Sequence, residues 1–382
     1  MTSAAEPLLL RGGPIHPMVG PSFARGALLV RAGKITYVGS EAGLDASAAR
    51  GARVVELGGR PLLPGLCDCH LHLMLAAQQY AALDLRGSGS VEEVRRRVSG
   101  RARGAGRGAW VVGHGWEGRL LFPGCHPSPS MLDGAAGGLP VFLASKDLHS
   151  AWLNSEGMRR LEMLPRLPGK CRVQRLEGGE PGLVVEDILR LRDALIPPLT
   201  GPEKRACLGP FIGELWARGI TSVHTHEAPG DLAILRGALG GQGPRVRVLC
   251  NLMFETPEQV CEGSDLLRTS PARWLQMGAI KIFLDGTFGT LTAAVSEPYA
   301  GGGGHGELLM ERAELEGWLD AADRAGAPVA AHAIGDRAVA MFLESIRGRP
   351  GAAGASHRVE HAQLLSDSIA ARMSLAGVIF SV

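Results

Sequence analysis

From residue 203 to 382 the chain repeats one unit: a helical stretch, then a short apolar run able to be buried on both faces. A helix over 206–218, closed by Gly219, leads into a strand over 220–226. Apolar runs follow at 245–252 and 279–285, and a helix near 311–325, stopped by Gly326, feeds 328–332. Asp336 is placed to cap a helix over 337–346; 357–361, a helix near 366–375 and 378–382 complete the series. Doubly buried strands alternating with helices predict a parallel barrel. With a strand at Leu66, the predicted strands lie near residues 66, 221, 247, 281, 330, 359 and 379, one short of the eight that close such a barrel. The expectation is a barrel whose eighth strand lies past Val382. The first and seventh strands would be left as open edges that invite association, and this stretch alone would have little activity.

The strand at Leu66 carries the first chemistry. It is entered through Pro61, Pro64 and Gly65 and reads Leu66-Cys-Asp-Cys-His-Leu-His72. Alternate side chains of a strand share a face, so Asp68, His70 and His72 point together. Two imidazoles on one rigid strand end can hold a divalent metal, although a His-x-His pair by itself is also a chance pattern. Further histidines, His332 and His361, fall at the C-terminal ends of the fifth and sixth strands, where barrel sites are built. Buried imidazoles each need partners, so several at matching positions are poorly explained as core. Lys281 is the sharpest oddity. It interrupts an apolar strand on the face of Phe283 and Asp285, and pairing with Asp285 or Glu307 is the plain alternative to a functional role.

The rest of the chain is an addition to this frame. Residues 1–60 read as a small β unit, with strands over 27–30 and 35–38 about an Ala32-Gly33 turn and a third over 53–57. Residues 61–382 form the barrel, with an inserted subdomain of about 75–202 over its mouth. That insertion holds a charged helix over 91–98 and strands over 110–112 and 140–144, with His114 and His149 in the turns that follow; His126 lies nearby. Trp110, Trp116, Phe122 and Trp152 there read as a local core, or else as an aromatic wall through which Trp116 meets substrate.

Composition excludes more than it assigns. A net charge of +2 gives no basis for nucleic acid or an anionic membrane as partner. No run approaches the ~18 apolar residues of a membrane span, and the N-terminus lacks the basic lead and apolar core of a signal peptide. Seven cysteines without Cys-x-x-Cys spacing argue against a disulfide framework and fit a reducing cytoplasm. Homo-oligomerisation is left open.

The motifs together resemble the amidohydrolase superfamily, in particular the branch that includes N-substituted formamide deformylases. The matching stretches are the glycine turn of 30–39; Pro64-Gly-Leu-Cys-Asp-Cys-His-Leu-His72; Leu83-Asp-Leu-Arg-Gly87; Asp147-Leu-His-Ser150 with Asn154-Ser155; Gly219-Ile-Thr-Ser222; Lys281-Ile-Phe-Leu-Asp-Gly286 with Thr292-Ala293 and Glu297-Pro-Tyr299; His332-Ala-Ile-Gly-Asp-Arg-Ala338; and Arg358-Val-Glu-His-Ala-Gln363. They run in the family's order, and the last two are the most specific. The resemblance implies a (β/α) barrel of the metal-dependent hydrolase type, with a small N-terminal β-sandwich half. It also implies hydrolysis of an amide or N-formyl C–N bond in a small substrate. His70 and His72 would bind one divalent ion, zinc by expectation, His332 and His361 a second, and Lys281, carbamylated by carbon dioxide, would bridge them. Lys281 and His332 would then be catalytic, and His149 would contact substrate. An eighth-strand aspartate and C-terminal sandwich strands of the family have no counterpart among these residues; Asp285 and Asp336 do not replace that aspartate by position. A deaminase or ester hydrolase of the same superfamily, or a catalytically dead remnant, is the alternative.

Overall fold

A computed structural model describes residues 6–381 apart from 107, 123–126, 170, 187, 242–244, 269–272, 289–290, 301–303, 350–355 and 376. The chain divides into two units, Met1–Cys67 with Gly219–Ser222, and Asp68–Arg218 with Val223–Val382.

In the first unit, four strands pair in the order Lys34–Ser40, Phe23–Arg31, Leu8–Ile15, Arg53–Glu56. The hairpin turns at Ala32 and Gly33, both with positive φ (48° and 74°), the combination a two-residue turn needs to match strand twist. Leu9, Ala27 and Leu29 form its buried face. Leu8–Ile15 joins the other strands on both sides and is missing from the sequence expectation, because Arg11, Gly12, Gly13 and Pro14 break its apolar pattern.

The chain also forms a seven-stranded sheet. Its strands, in chain order, are Leu66–Leu71, Ile220–Glu227, Arg247–Leu252, Leu275–Phe283, Val329–Ala333, Arg358–His361 and Ile379–Ser381, each beside the next. The third to seventh pair in parallel, as crossover helices require. Ile282, Val329, Ala331 and Val359 pack outward against Leu315, Trp318 and Leu319 of the helix Arg312–Ala325 and Phe342 of the helix Asp336–Ser345. Gly326, at φ 68°, stops the first of these helices.

Three expectations need correction. The helix Asp336–Ser345 is not capped by Asp336: its N-cap is Gly335, and the Asp336 carboxylate takes the amide and hydroxyl of Ser296. The helix expected over 206–218 begins at Gly201, where Thr200 and Glu203 form a capping box that the sequence does display. The seam between the first and seventh strands is not simply open. Ser381 Oγ and Arg358 Nη2 both donate to the Cys69 carbonyl, at 3.2 and 3.3 Å, so side chains bridge a nearly closed sheet, although Leu66, Ile379 and Phe380 remain exposed.

The segment between the first two barrel strands builds a six-stranded sheet of its own, ordered Arg172–Arg175, Pro181–Val185, Ser150–Leu153, Val141–Ser145, Val111–Trp116, Leu83–Asp84. Its core contains Trp116, Phe122 and Trp152, with ring centroids 5.0–6.2 Å apart.

Candidate metal centre

Strand register brings the far-apart histidines to one level. Phe283 lies opposite His332, and Ala333 opposite His361. His361 follows Glu360, so an unbroken strand would turn it to the opposite face. Instead His361 and Ala362 take positive φ (78° and 43°), backbone rarely adopted outside glycine. The result places five imidazoles in a continuous group. The His70 ring is 4.5 Å from His361, 4.4 Å from His226 and 5.8 Å from His72, and His332 is 4.7 Å from His361. The four histidines expected as ligands therefore converge, and His226, at the end of the second strand, joins them.

The outer hydrogen bonds decide which nitrogens are available. His72 Nδ1 donates to the His226 carbonyl at 3.1 Å, leaving Nε2 free. His332 Nε2 donates to the Gly286 carbonyl at 3.1 Å, leaving Nδ1 free. His70 Nδ1 lies 2.9 Å from Glu360 Oε2 and 3.2 Å from His226 Nε2. Glu360 is fully buried, and Arg358 donates to its other oxygen at 2.9 Å. Burial alone would raise this carboxyl, but bonds from His70 and Arg358 hold it well below the usual range. Helix Leu73–Ala81 starts at His72 without a cap of its own. Its first amides are taken by the second strand: Leu73 N–H by Thr225 Oγ1 at 2.8 Å and Met74 N–H by Glu227 Oε1 at 3.0 Å.

Lys281 sits among these groups. It is 1% exposed, 4.9 Å from the Phe283 ring, and its Nζ has no hydrogen-bond partner among the described residues. The pairing alternatives fail: Asp285 spends its carboxylate on the amides of Ala294, Ile334 and Gly335, and Glu307 is exposed. Burial, with Arg358 adding to it against the pull of Glu360, lowers the amine to about 8. Burial, with the neighbouring cationic groups, also lowers His72 and His332, takes His361 to about 4 and His226 to about 2. Imidazoles kept neutral and a buried amine with no hydrogen-bond partner among the described residues fit a divalent metal centre. Protons on these nitrogens are costly here, whereas a metal ion takes their lone pairs.

The other expected site residues lie elsewhere. Trp116 is 2% exposed in the inserted core, its indole N–H donating to the Leu143 carbonyl at 2.8 Å. His149 follows the turn at Leu148, largely exposed and 3.7 Å from Glu186. His114 lies within a strand, not a turn, and bonds the Gln79 carbonyl at 3.2 Å. His126 lies outside the described residues. Sequence reasoning missed Glu360, Thr225 and Glu227 as supports. For Thr225 and Glu227 the only signal was their alternation with His224 and His226; Glu360 had none.

The sequence pattern of the amidohydrolase family matches residues 53–382. The chain belongs to the amidohydrolase family. Members similar to it include the protein LONG AFTER FAR-RED 3 of Arabidopsis thaliana, 29% identical, with 98% of this chain and 67% of that protein covered. The N-substituted formamide deformylase of Arthrobacter pascens is 24% identical, with 92% and 68% covered. A solved metal-dependent hydrolase from Pyrococcus furiosus superposes with a TM-score of 0.77 at 28% identity, over 98% of this chain and 76% of that one. This amidohydrolase is thus a metal-dependent hydrolase with a (β/α) barrel fold and a separate β-rich part. Among the described residues no helix is long and apolar enough to cross a membrane.

Proposed function

We propose that this amidohydrolase cleaves a C–N bond of amide or N-formyl type in a small substrate, with zinc as its ion and a carbamylated Lys281 between two sites. The observation that carries the reading is the Lys281 amine, buried without a partner among histidines. Carbamylation joins a neutral amine to carbon dioxide and releases one proton. Lowering the amine from 10.5 to about 8 raises its neutral fraction near pH 7 on the order of 100-fold. His70 and His72 would hold one ion, His332 and His361 the other. A divalent ion so held supplies Lewis acidity and makes a water acidic enough to ionise near neutral pH.

The protein's own groups do the rest. Glu360 and the His226 carbonyl fix the rings of His70 and His72, and Gly286 fixes His332, so ligand nitrogens are aimed before any ion arrives. Lys281 and His332 are assigned to catalysis as well as to holding the ions. Phe283 covers the Lys281 amine and keeps it dry. His149 is assigned to substrate contact because it matches a family motif, and the domain division at residue 60, with an insertion over about 75–202, is part of the same reading. The described cysteines are free thiols, which supports a cytoplasmic place of action.

The test loads the protein with zinc, as residues 1–382 and as any version extending past Val382. N-formyl and N-acyl amines are assayed beside carboxylic esters and amino-substituted heterocycles. Zinc-dependent release of amine, lost in His332→Ala, is the expected result. Cleavage of esters or release of ammonia without any amide hydrolysis would overturn the C–N reading.

A further inference from the structure

His70, His226 and Glu360 offer ligand atoms that all lie within 4.8 Å of one another. On distance alone they form a three-ligand metal set. The neighbouring strands argue otherwise. Between the pairs Cys250–Met277 and Leu252–Ile280 the ladder sets one residue, Asn251, against two, Gly278 and Ala279. This is a β-bulge, of the kind found beside barrel sites. The Ala279 N–H donates to Asn251 Oδ1 at 2.7 Å. A backbone N–H can only donate, so this bond fixes which end of the Asn251 amide is oxygen. The amide nitrogen is then the atom 3.3 Å from His226 Nδ1. It can only donate, so His226 Nδ1 must accept, and a neutral imidazole whose Nδ1 accepts carries its proton on Nε2. Asn251 and His226 are both fully buried, so water does not compete for these bonds. A Cβ at Gly278 would fall 2.3 Å from Asn251 Oδ1; the glycine keeps the place of the amide open.

We propose that Asn251 is a positioning residue that holds His226 as the Nε2–H tautomer and so keeps it out of the metal-ligand set. An imidazole binds an ion through a lone pair, and the lone pair of His226 is occupied by Asn251. His226 Nε2 then presents its hydrogen to the space it shares with His70 Nδ1, 3.2 Å away, which itself lies 2.9 Å from the buried Glu360 carboxylate. His70 keeps its Nε2 for the ion. The inference rests on the metal-centre reading above, but the tautomer exists without metal or substrate and is measured separately.

The experiment labels the histidine rings of residues 1–382 with 15N and records two-bond 1H–15N correlations on the metal-free protein. The His226 signals are assigned by their loss in His226→Gln. An unprotonated Nδ1 and a protonated Nε2 are expected. In Asn251→Asp one carboxylate oxygen still accepts from Ala279 while the other accepts from the imidazole, so the pattern reverses. His226→Gln is expected to keep the zinc count of the parent by elemental analysis, with affinity lowered by no more than ~100-fold, as for residues behind the ligands. A protonated Nδ1 in the parent protein, or loss of one zinc equivalent in His226→Gln, overturns the proposal. Should Asn251→Asp fail to fold, those two measurements still decide it. A protein that bound no zinc at all would sink the metal reading and leave the tautomer result standing.

Discussion

Lys281 is costly to the metal-free fold, since a buried amine with no hydrogen-bond partner among the described residues loses its hydration and recovers little of it. The buried and half-buried histidines show the same tension through pH. His72, His224, His226, His332, His357 and His361 are all lowered from 6.5, burial being the first cause in each. A group whose folded value is lowered binds fewer protons folded than unfolded as pH falls past 6.5, so stability rises with pH in that range. Glu360, also lowered, adds stability that is lost as pH falls below the ordinary carboxylate range. The metal-free protein is therefore expected to lose melting temperature steadily from pH 7 to pH 5, down toward the value of about 4 at His361. A flat thermal profile across that window would contradict the neutral imidazole cluster. His70, His72, His332 and His361 were legible in the sequence as candidate ligands because chemistry, spacing and strand ends agreed. Glu360 was not legible: Arg358-Val-Glu-His361 places it on the Arg358 face, and only the tertiary fold brings His70 2.9 Å from it.

At the scale of elements, the site is set by irregularities that periodic patterns do not announce. The bulge at Gly278 and Ala279 and the positive φ of His361 re-aim side chains at strand ends. No apolar periodicity encodes either. The start of helix Leu73–Ala81 is another case, since its amides are satisfied by Thr225 and Glu227 from a strand some 150 residues away in the chain. Thr225→Val keeps the shape but orphans the Leu73 amide, at a cost of about 1–3 kcal/mol. Because His72 is the residue before that helix, zinc affinity should fall with it. Urea denaturation and zinc titration check this, and a variant unchanged in both would mean the cap does not hold His72. The aromatic residues of the inserted segment show the opposite situation. Trp116, Phe122 and Trp152 were readable as a core from their density alone, and the structure buries them as one.

At the scale of the molecule, the seven strands and their order followed from the alternation of helix and strand signals, because doubly buried parallel strands leave few other architectures. What sequence could not supply was the side-chain bridging of the seam, which depends on where Arg358 and Ser381 reach once the sheet curves. The whole arrangement gathers His70, His72, His332 and His361 about a buried lysine whose amine has no hydrogen-bond partner among the described residues, and the proposed function has these five residues hold divalent ions through a carbamate. The direct measurement is zinc content after reconstitution with and without bicarbonate, in the parent protein and in Lys281→Ala. Bicarbonate is expected to raise the parent to two ions per chain, Lys281→Ala is expected not to respond, and a short carboxylate added to Lys281→Ala is expected to restore the second ion in part. A Lys281→Ala protein that held two tight ions without bicarbonate or any added carboxylate would contradict it.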